Sequence, residues 1–211
     1  MNDPRTEPLL EWNRLARENT ENAIVSSMFE ATAQSSTSVE SFSTWLLVGT
    51  AAVASFFITN AQGILPFIGK EGFLVCGAFL CGSCFFGLLS KIYALSCKIG
   101  IEVGASIRKT FLEHLDKHEA EEEKINESAE HWGITLETGV RIERILHEYY
   151  SPQPKYVGWL AFRHFKKNQG NPQIGHLLSI RALHKQGLFT SLQALSVLGF
   201  LIAGFVYVAA I

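Results

Sequence analysis

The chain has 211 residues, 47% of them hydrophobic, with 18 Lys and Arg against 20 Asp and Glu and a formal net charge of −2. That content alone suits either one soluble domain or a few membrane helices with a modest soluble part. The distribution argues against a soluble domain, because the apolar residues are concentrated in three blocks.

The chain opens with MNDPRTEPLLEWNRLARENTEN, which is polar and charged. A secretory signal puts a short apolar region within roughly the first 15–30 residues, so the first apolar block is predicted to be an uncleaved anchor. Neither end shows a lipidation pattern. A helix is expected from Glu7 to Ala33, with Trp12, Leu15, Ile24, Val25, Met28, Phe29 and Thr32 as a loose apolar stripe. The stripe suits a membrane surface or a protein surface. It is not strongly basic, which favours protein. Residues 34–38 read as a linker or helix entry, so residues 1–40 form a cytoplasmic amphipathic helix and linker.

The first span covers residues 41–59, with Trp45 as an interfacial anchor. Residues 60–72 form a short turn whose apolar segment 64–68 is expected to dip into the membrane interface. The second span covers residues 73–90, so residues 41–90 make a transmembrane hairpin. It does not stop at Ser90: Ile92, Leu95, Ile99, Val103, Ile107, Phe111 and Leu115 continue an apolar stripe, and no proline lies between Gly72 and His118. One helix of about 45 residues, about 68 Å long, is predicted. Residues 119–124 read as a solvated acidic stretch or turn. Further helices are expected at about 134–150, 157–167 and 174–186, the last running into the third span. That span, residues 188–211, contains no charged side chain. Its 24 residues reach about 36 Å, enough for a hydrocarbon core of about 30 Å. The fold class is therefore an all-α integral membrane protein. Three transmembrane helices, a hairpin and a C-terminal span, carry a long helical stalk and a small cytoplasmic helical region at residues 91–187.

Arg5, Arg14 and Arg17 precede the first span, Lys70 alone lies between the first and second, and the other 14 Lys and Arg lie between Lys91 and Lys185. The positive-inside rule then puts the N-terminus and residues 91–187 in the cytoplasm and the C-terminus outside, with a bacterial inner membrane as the expected site. In lipid, helices associate through small faces. Gly77, Cys81, Gly82, Gly87, Gly100, Gly104, Gly199 and Ala203 are accordingly the candidate helix-packing or oligomer interface. Three spans offer only a thin internal bundle, so homo-oligomerisation is expected. No ionisable group lies within the three spans, which argues against transport chemistry. Thr50, Ser55, Ser83, Ser90, Gln193 and Ser196 would suit an aqueous lumen, although scattered hydroxyls also satisfy backbone carbonyls.

Between Tyr149 and Gly187 there is no Asp or Glu. Lys155, Arg163, Lys166, Lys167, Arg181 and Lys185 there are candidates for binding anionic lipid or an acidic partner. Tyr156, Trp159, Phe162 and Phe165 look like a packing stripe, which argues against nucleic acid. Cys81 and Cys84 have redox-pair spacing, but a thiolate is disfavoured in hydrocarbon, so they read as small packing residues. His114 and His118 lie one helical turn apart without a third ligand or a His-Glu-x-x-His pattern, and read as a polar face rather than a metal site. No catalytic set, metal site or cofactor motif is found.

Two family resemblances follow from these residues. The run from Arg141 to His147 resembles the Arg-x(4–6)-His signature of the HEPN ribonucleases, which would imply RNA cleavage by those two residues at a dimer interface. In this chain an isoleucine follows Arg141, where that family commonly has a polar residue. The layout of residues 5–150 (an N-terminal helix, a tight hairpin and long cytoplasmic helices) resembles the SLATT-type membrane effectors of bacterial conflict systems. That likeness implies an oligomeric pore opened when a partner signals; the third span departs from its simplest form. The leading expectation is a non-enzymatic, oligomeric membrane sensor or effector with a cytosolic protein partner. The alternatives are a membrane anchor that recruits a partner through the basic 155–185 segment, and a HEPN-like ribonuclease.

Overall fold

The computed structural model describes residues 7–132, 141–152, 154–168, 170–171 and 173–210. Their regular structure is helical throughout: α1 (Glu7–Gln34), α2 (Ser36–Thr59), α3 (Ala61–Trp132), α4 (Ile142–Tyr150), α5 (Lys155–Lys167) and α6 (Ile174–Ala209). Three stretches, Leu9–Thr59, Ala61–Ile125 and Ile174–Ala209, are long and apolar enough to cross a membrane. The chain divides into two compact units. One comprises residues 1–101 and 175–211, the other residues 102–174.

The first unit is a three-helix bundle of α2, the first part of α3 and α6, extended at one end by α1. Its helix directions follow from the side-chain pairs. Ser36 meets Gln186 and Ser43 meets Gln193, so α2 and α6 run parallel. Lys91 meets Glu40 and Ser83 meets Thr50, so α3 runs antiparallel to α2. The inward positions of α3 repeat at intervals of four and three: Cys76, Leu80, Ser83, Gly87, Ser90, Ala94 and Cys97 are all buried. On α2 the inward series is Ser36, Ser43, Thr50 and Phe57, and on α6 it includes Ser179, Gln186 and Gln193. A seven-residue repeat keeps one seam facing its neighbours along the whole helix, as in a coiled coil. Most of these side chains are small, which lets the backbones approach closely.

The seam changes character along its length. At one end Phe57, Ile68, Cys76 and Leu80 form an apolar cluster with Phe73, Phe200, Ala203 and Tyr207 against it. Phe57 stacks on Phe73 with centroids 4.5 Å apart and meets Phe200 edge-on at 5.9 Å. The connection between α2 and α3 closes this end. Gly69, at φ 67°, breaks α3 into helices at 61–68 and 70–132; only glycine takes that conformation without strain. The short helix turns Ile64 and Ile68 into the cluster and leaves Phe67 outside. The apolar run expected to dip into the interface is thus partly an internal cap. At the other end Ala33, Cys97, Ala182 and Leu183 pack together with Ile101 and Ile180. Residues 91–101 and 175–187 therefore belong to the bundle.

Residues 70–132 of α3 are continuous, longer than the sequence suggests. Residues 119–124, read as an acidic stretch or turn, are helical; Ala, Glu and Lys are all good helix formers and nothing there breaks the ladder. On α1, Arg14 bonds Glu11 at 2.8 Å and Glu18 at 2.7 Å. The hydrogen bond from Arg14 holds the Glu11 carboxyl below its usual range. Most of the α1 stripe stays uncovered: Trp12, Leu15, Ile24, Val25 and Met28 are exposed. Only its end engages, through Phe29 stacked on His176 at 6.1 Å and through Ala33. The start of the helix expected at residue 134 lies outside the described residues.

The seam predicts a stability effect. Gln193→Leu removes the partner of the Ser43 hydroxyl inside the bundle. We expect a loss of about 1–2 kcal/mol, read as an earlier unfolding midpoint in a detergent denaturation series. Adding Ser43→Ala to Gln193→Leu should cost less than the sum of the two single changes.

Candidate functional site

The interior polar seam is the most organised feature of the bundle. Gln186 and Gln193 are fully buried at 0% exposure. Each forms the same two-bond clasp with a serine of α2. Ser36 Oγ donates to Gln186 Oε1 at 2.6 Å, and Gln186 Nε2 donates to the Ser36 carbonyl at 2.9 Å. One heptad further on, Ser43 Oγ donates to Gln193 Oε1 at 2.8 Å, and Gln193 Nε2 donates to the Ser43 carbonyl at 3.2 Å. α3 adds two rungs. Ser90 Oγ lies 2.8 Å from Thr190 Oγ1. Thr50 gives its proton to the Leu46 carbonyl at 2.7 Å, so Ser83 Oγ, at 3.1 Å, is the donor to Thr50. Between the levels of the two clasps, Lys91 Nζ and Glu40 Oε1 pair at 2.9 Å, each side chain about a third exposed (30% and 39%).

This arrangement settles where the lumen candidates point. Thr50, Ser83, Ser90 and Gln193 turn into the interior of the bundle, bonded and packed. Ser55 is exposed and Ser196 half-buried, and each bonds its own helix, to Ala51 and Leu192. No lumen lies along this seam. Ser36, Ser43, Thr190 and Gln186 join this seam without having stood out in the sequence. The signal is the spacing of seven shared by 36, 43 and 50, by 83 and 90, and by 179, 186 and 193.

The small residues divide. A side-chain carbon on Gly87 would sit 2.8 Å from Gln193 Nε2 and 3.0 Å from Leu47 Cδ1. One on Gly199 would sit 2.5 Å from the Phe79 ring, and one on Gly100 would sit 2.5 Å from Ser179 Oγ. With Ala203, which packs on the aromatic end, these three serve contacts within the chain. Gly72 joins them, against Tyr207 at 2.8 Å. Gly82 meets only Ser196 Oγ, at an ordinary 3.8 Å, while Gly77 and Gly104 have open space around them and Cys81 is exposed.

The basic candidates divide too. Lys185 lies over the Tyr93 ring at 5.2 Å, and Tyr93 stacks on Phe189 at 5.4 Å. Within α5, Arg163 lies over Trp159 at 5.3 Å. Lys166, Lys167 and Arg181 are exposed, and the Lys155 side chain lies outside those described. In the second unit an apolar groove of about 560 Å³ is lined by Ile107, Phe111, Leu115 and Ile145, with Ser106, Thr110, His114 and His118 along its edge. Among the described residues no three metal-ligating side chains cluster. Arg141 precedes α4 in an extended conformation, and His147 is exposed on α4. The two do not share the helix from which the ribonuclease motif is read.

The glycines separate internal from external positions. Gly87→Val should destabilise the bundle by about 1–3 kcal/mol through overpacking, lowering the yield of folded protein in detergent. Gly77→Val should leave yield and helical content unchanged. No protein-family model, curated protein or solved structure matches this chain.

Proposed function

We propose that α2, α3 and α6 cross a bacterial inner membrane as one closed three-helix unit, with α1 and residues 102–174 in the cytoplasm and the C-terminus outside. One observation carries this reading: polarity in the bundle is inverted. Between the apolar clusters at its two ends the interior holds Ser, Thr and Gln, while Trp45, Phe56, Ile58, Leu201, Ile202 and Phe205 face outward and are exposed. Burying one such side chain is worth about 1.5–3 kcal/mol, whereas an interhelical hydrogen bond in a bilayer averages about 0.6 kcal/mol. A bundle built for water would bury the first kind and expose the second. Lipid reverses the preference. The distribution of Lys and Arg supports the orientation.

Within the membrane the protein acts as a non-enzymatic, oligomeric sensor or effector in the manner of the SLATT layout. Residues 102–174 dock a cytosolic protein, and the spans answer by opening a pore or disturbing the bilayer. The packed seam of each protomer implies that any conducting path runs between protomers. The acid-free stretch of residues 149–187, with Lys166, Lys167 and Arg181 exposed, favours a second reading: an anchor that recruits its partner without conducting.

Two measurements separate these outcomes. The expressed chain should remain in the membrane pellet after an alkaline carbonate wash and leave it only with detergent; release by carbonate would defeat the membrane reading. Reconstituted in anionic liposomes, the protein should release a trapped dye in proportion to its surface density. Tight vesicles at every density would leave the anchor as the function.

A further inference from the structure

α3 carries a second heptad seam that nothing among the described residues covers. Its inner seam is buried in the bundle. Two residues before Ser83, Gly87, Ser90, Ala94, Cys97 and the half-buried Ile101, about 200° around the helix, lie Cys81, Phe85, Leu88, Ile92, Leu95 and Ile99. All six are exposed, and their spacing is four, three, four, three, four. For the first three, lipid is a sufficient neighbour. For the last three it is not. Ile92, Leu95 and Ile99 are 58%, 59% and 50% exposed. They lie at and beyond the level of the Lys91–Glu40 pair, where the other helices turn polar. There α2 presents Thr37, Ser38 and Ser41 outward, and α6 presents Arg181, His184 and Lys185. α6 also exposes Leu178 and Leu188 and α2 exposes Phe42, but these stand singly among polar residues, whereas Ile92, Leu95 and Ile99 form a row at heptad spacing. The seam ends at the next heptad position, Glu102, which is exposed.

We propose that this outer seam is the contact with a second copy of the chain, in a parallel, in-register α3–α3 pair. The inference rests on the oligomeric membrane reading above and names the surface that forms the oligomer. Three observations select a second copy as the occupant. Copies inserted by the same charge rule share one orientation, so identical helices meet in parallel about a twofold axis. Assigned as a heptad, the seam places Phe85, Ile92 and Ile99 at a and Cys81, Leu88 and Leu95 at d. Isoleucine at a with leucine at d favours two parallel strands. The flanks agree as well: Lys91 and Lys98 fall at g and Ser96 at e, so no like charges meet along residues 81–99, Lys91 already has Glu40 as partner, and the pairing stops short of the d position Glu102, where two carboxylates would meet.

The test is site-directed disulfide crosslinking of the full chain in native membranes, with the four native cysteines replaced by alanine or serine. Leu95→Cys and Ile99→Cys should each give an oxidant-dependent dimer, while Arg181→Cys at the same level should not. In parallel, Leu95→Lys combined with Ile99→Lys should abolish the dimer by light scattering in detergent while helical content stays unchanged. Equal crosslinking at Arg181→Cys would indicate random collision and overturn the proposal. An oligomer by light scattering without crosslinks at residues 95 and 99 would overturn this seam and leave the oligomeric reading standing. A monomer by both measurements would overturn both.

Discussion

The Ser–Gln clasp is the interaction on which the bundle depends. A buried glutamine carries an acceptor and two donor hydrogens, and inside a packed seam each needs a protein partner. Here the partner serine supplies a hydroxyl proton and a backbone carbonyl, so Gln186 and Gln193 each form two bonds to one residue. The energy per bond is small. The constraint is large, because sliding α6 by any step other than a heptad would leave the amides facing alkyl groups. These rungs fix register more than they add stability, the role best attested for a polar residue in a helical seam. The close approach at Gly87 follows from it: a side chain there would displace the Gln193 amide.

The two ends of the seam are built from different forces. Toward the α2–α3 connection the bundle is held by aromatic packing, with Phe57 between Phe73 and Phe200. Toward the opposite end it is held by polar rungs, the Glu40–Lys91 pair and a stack in which Lys185 covers Tyr93. Dispersion contacts are non-directional and fill space, whereas hydrogen bonds and ion pairs demand geometry.

Much of the architecture was legible beforehand. Three charge-poor blocks announced three long apolar helices, and an unbroken run after Gly72 announced a helix without a stop at Ser90. Both signals are local. Residues 119–124, which suit either a solvated acidic stretch or a turn by sequence, are a largely exposed acidic stretch of helix, because helix propensity there outweighs charge density. The small residues were legible as a class but not by partner. Gly87, Gly100 and Gly199 pack within the chain, while Gly77 and Gly104 do not, and sequence spacing alone does not distinguish them. The His114–His118 pair was read as a polar face; it edges an apolar groove because α4 brings Ile145 to the same side of α3.

The sequence by itself determined that the chain forms long helices, where the apolar segments fall, and where along the chain the basic residues accumulate. Those follow from periodicity, propensity and the absence of charge, which each segment carries alone. Tertiary structure decided which face of each helix is inside. A serine in an apolar helix can bond its own backbone four residues back or a partner on another helix, and both choices look alike in one dimension. Packing α2, α3 and α6 together turned Ser36, Ser43 and Ser90 toward Gln186, Gln193 and Thr190. It also left Ile92, Leu95 and Ile99 outside, because a helix has room for only one inward seam.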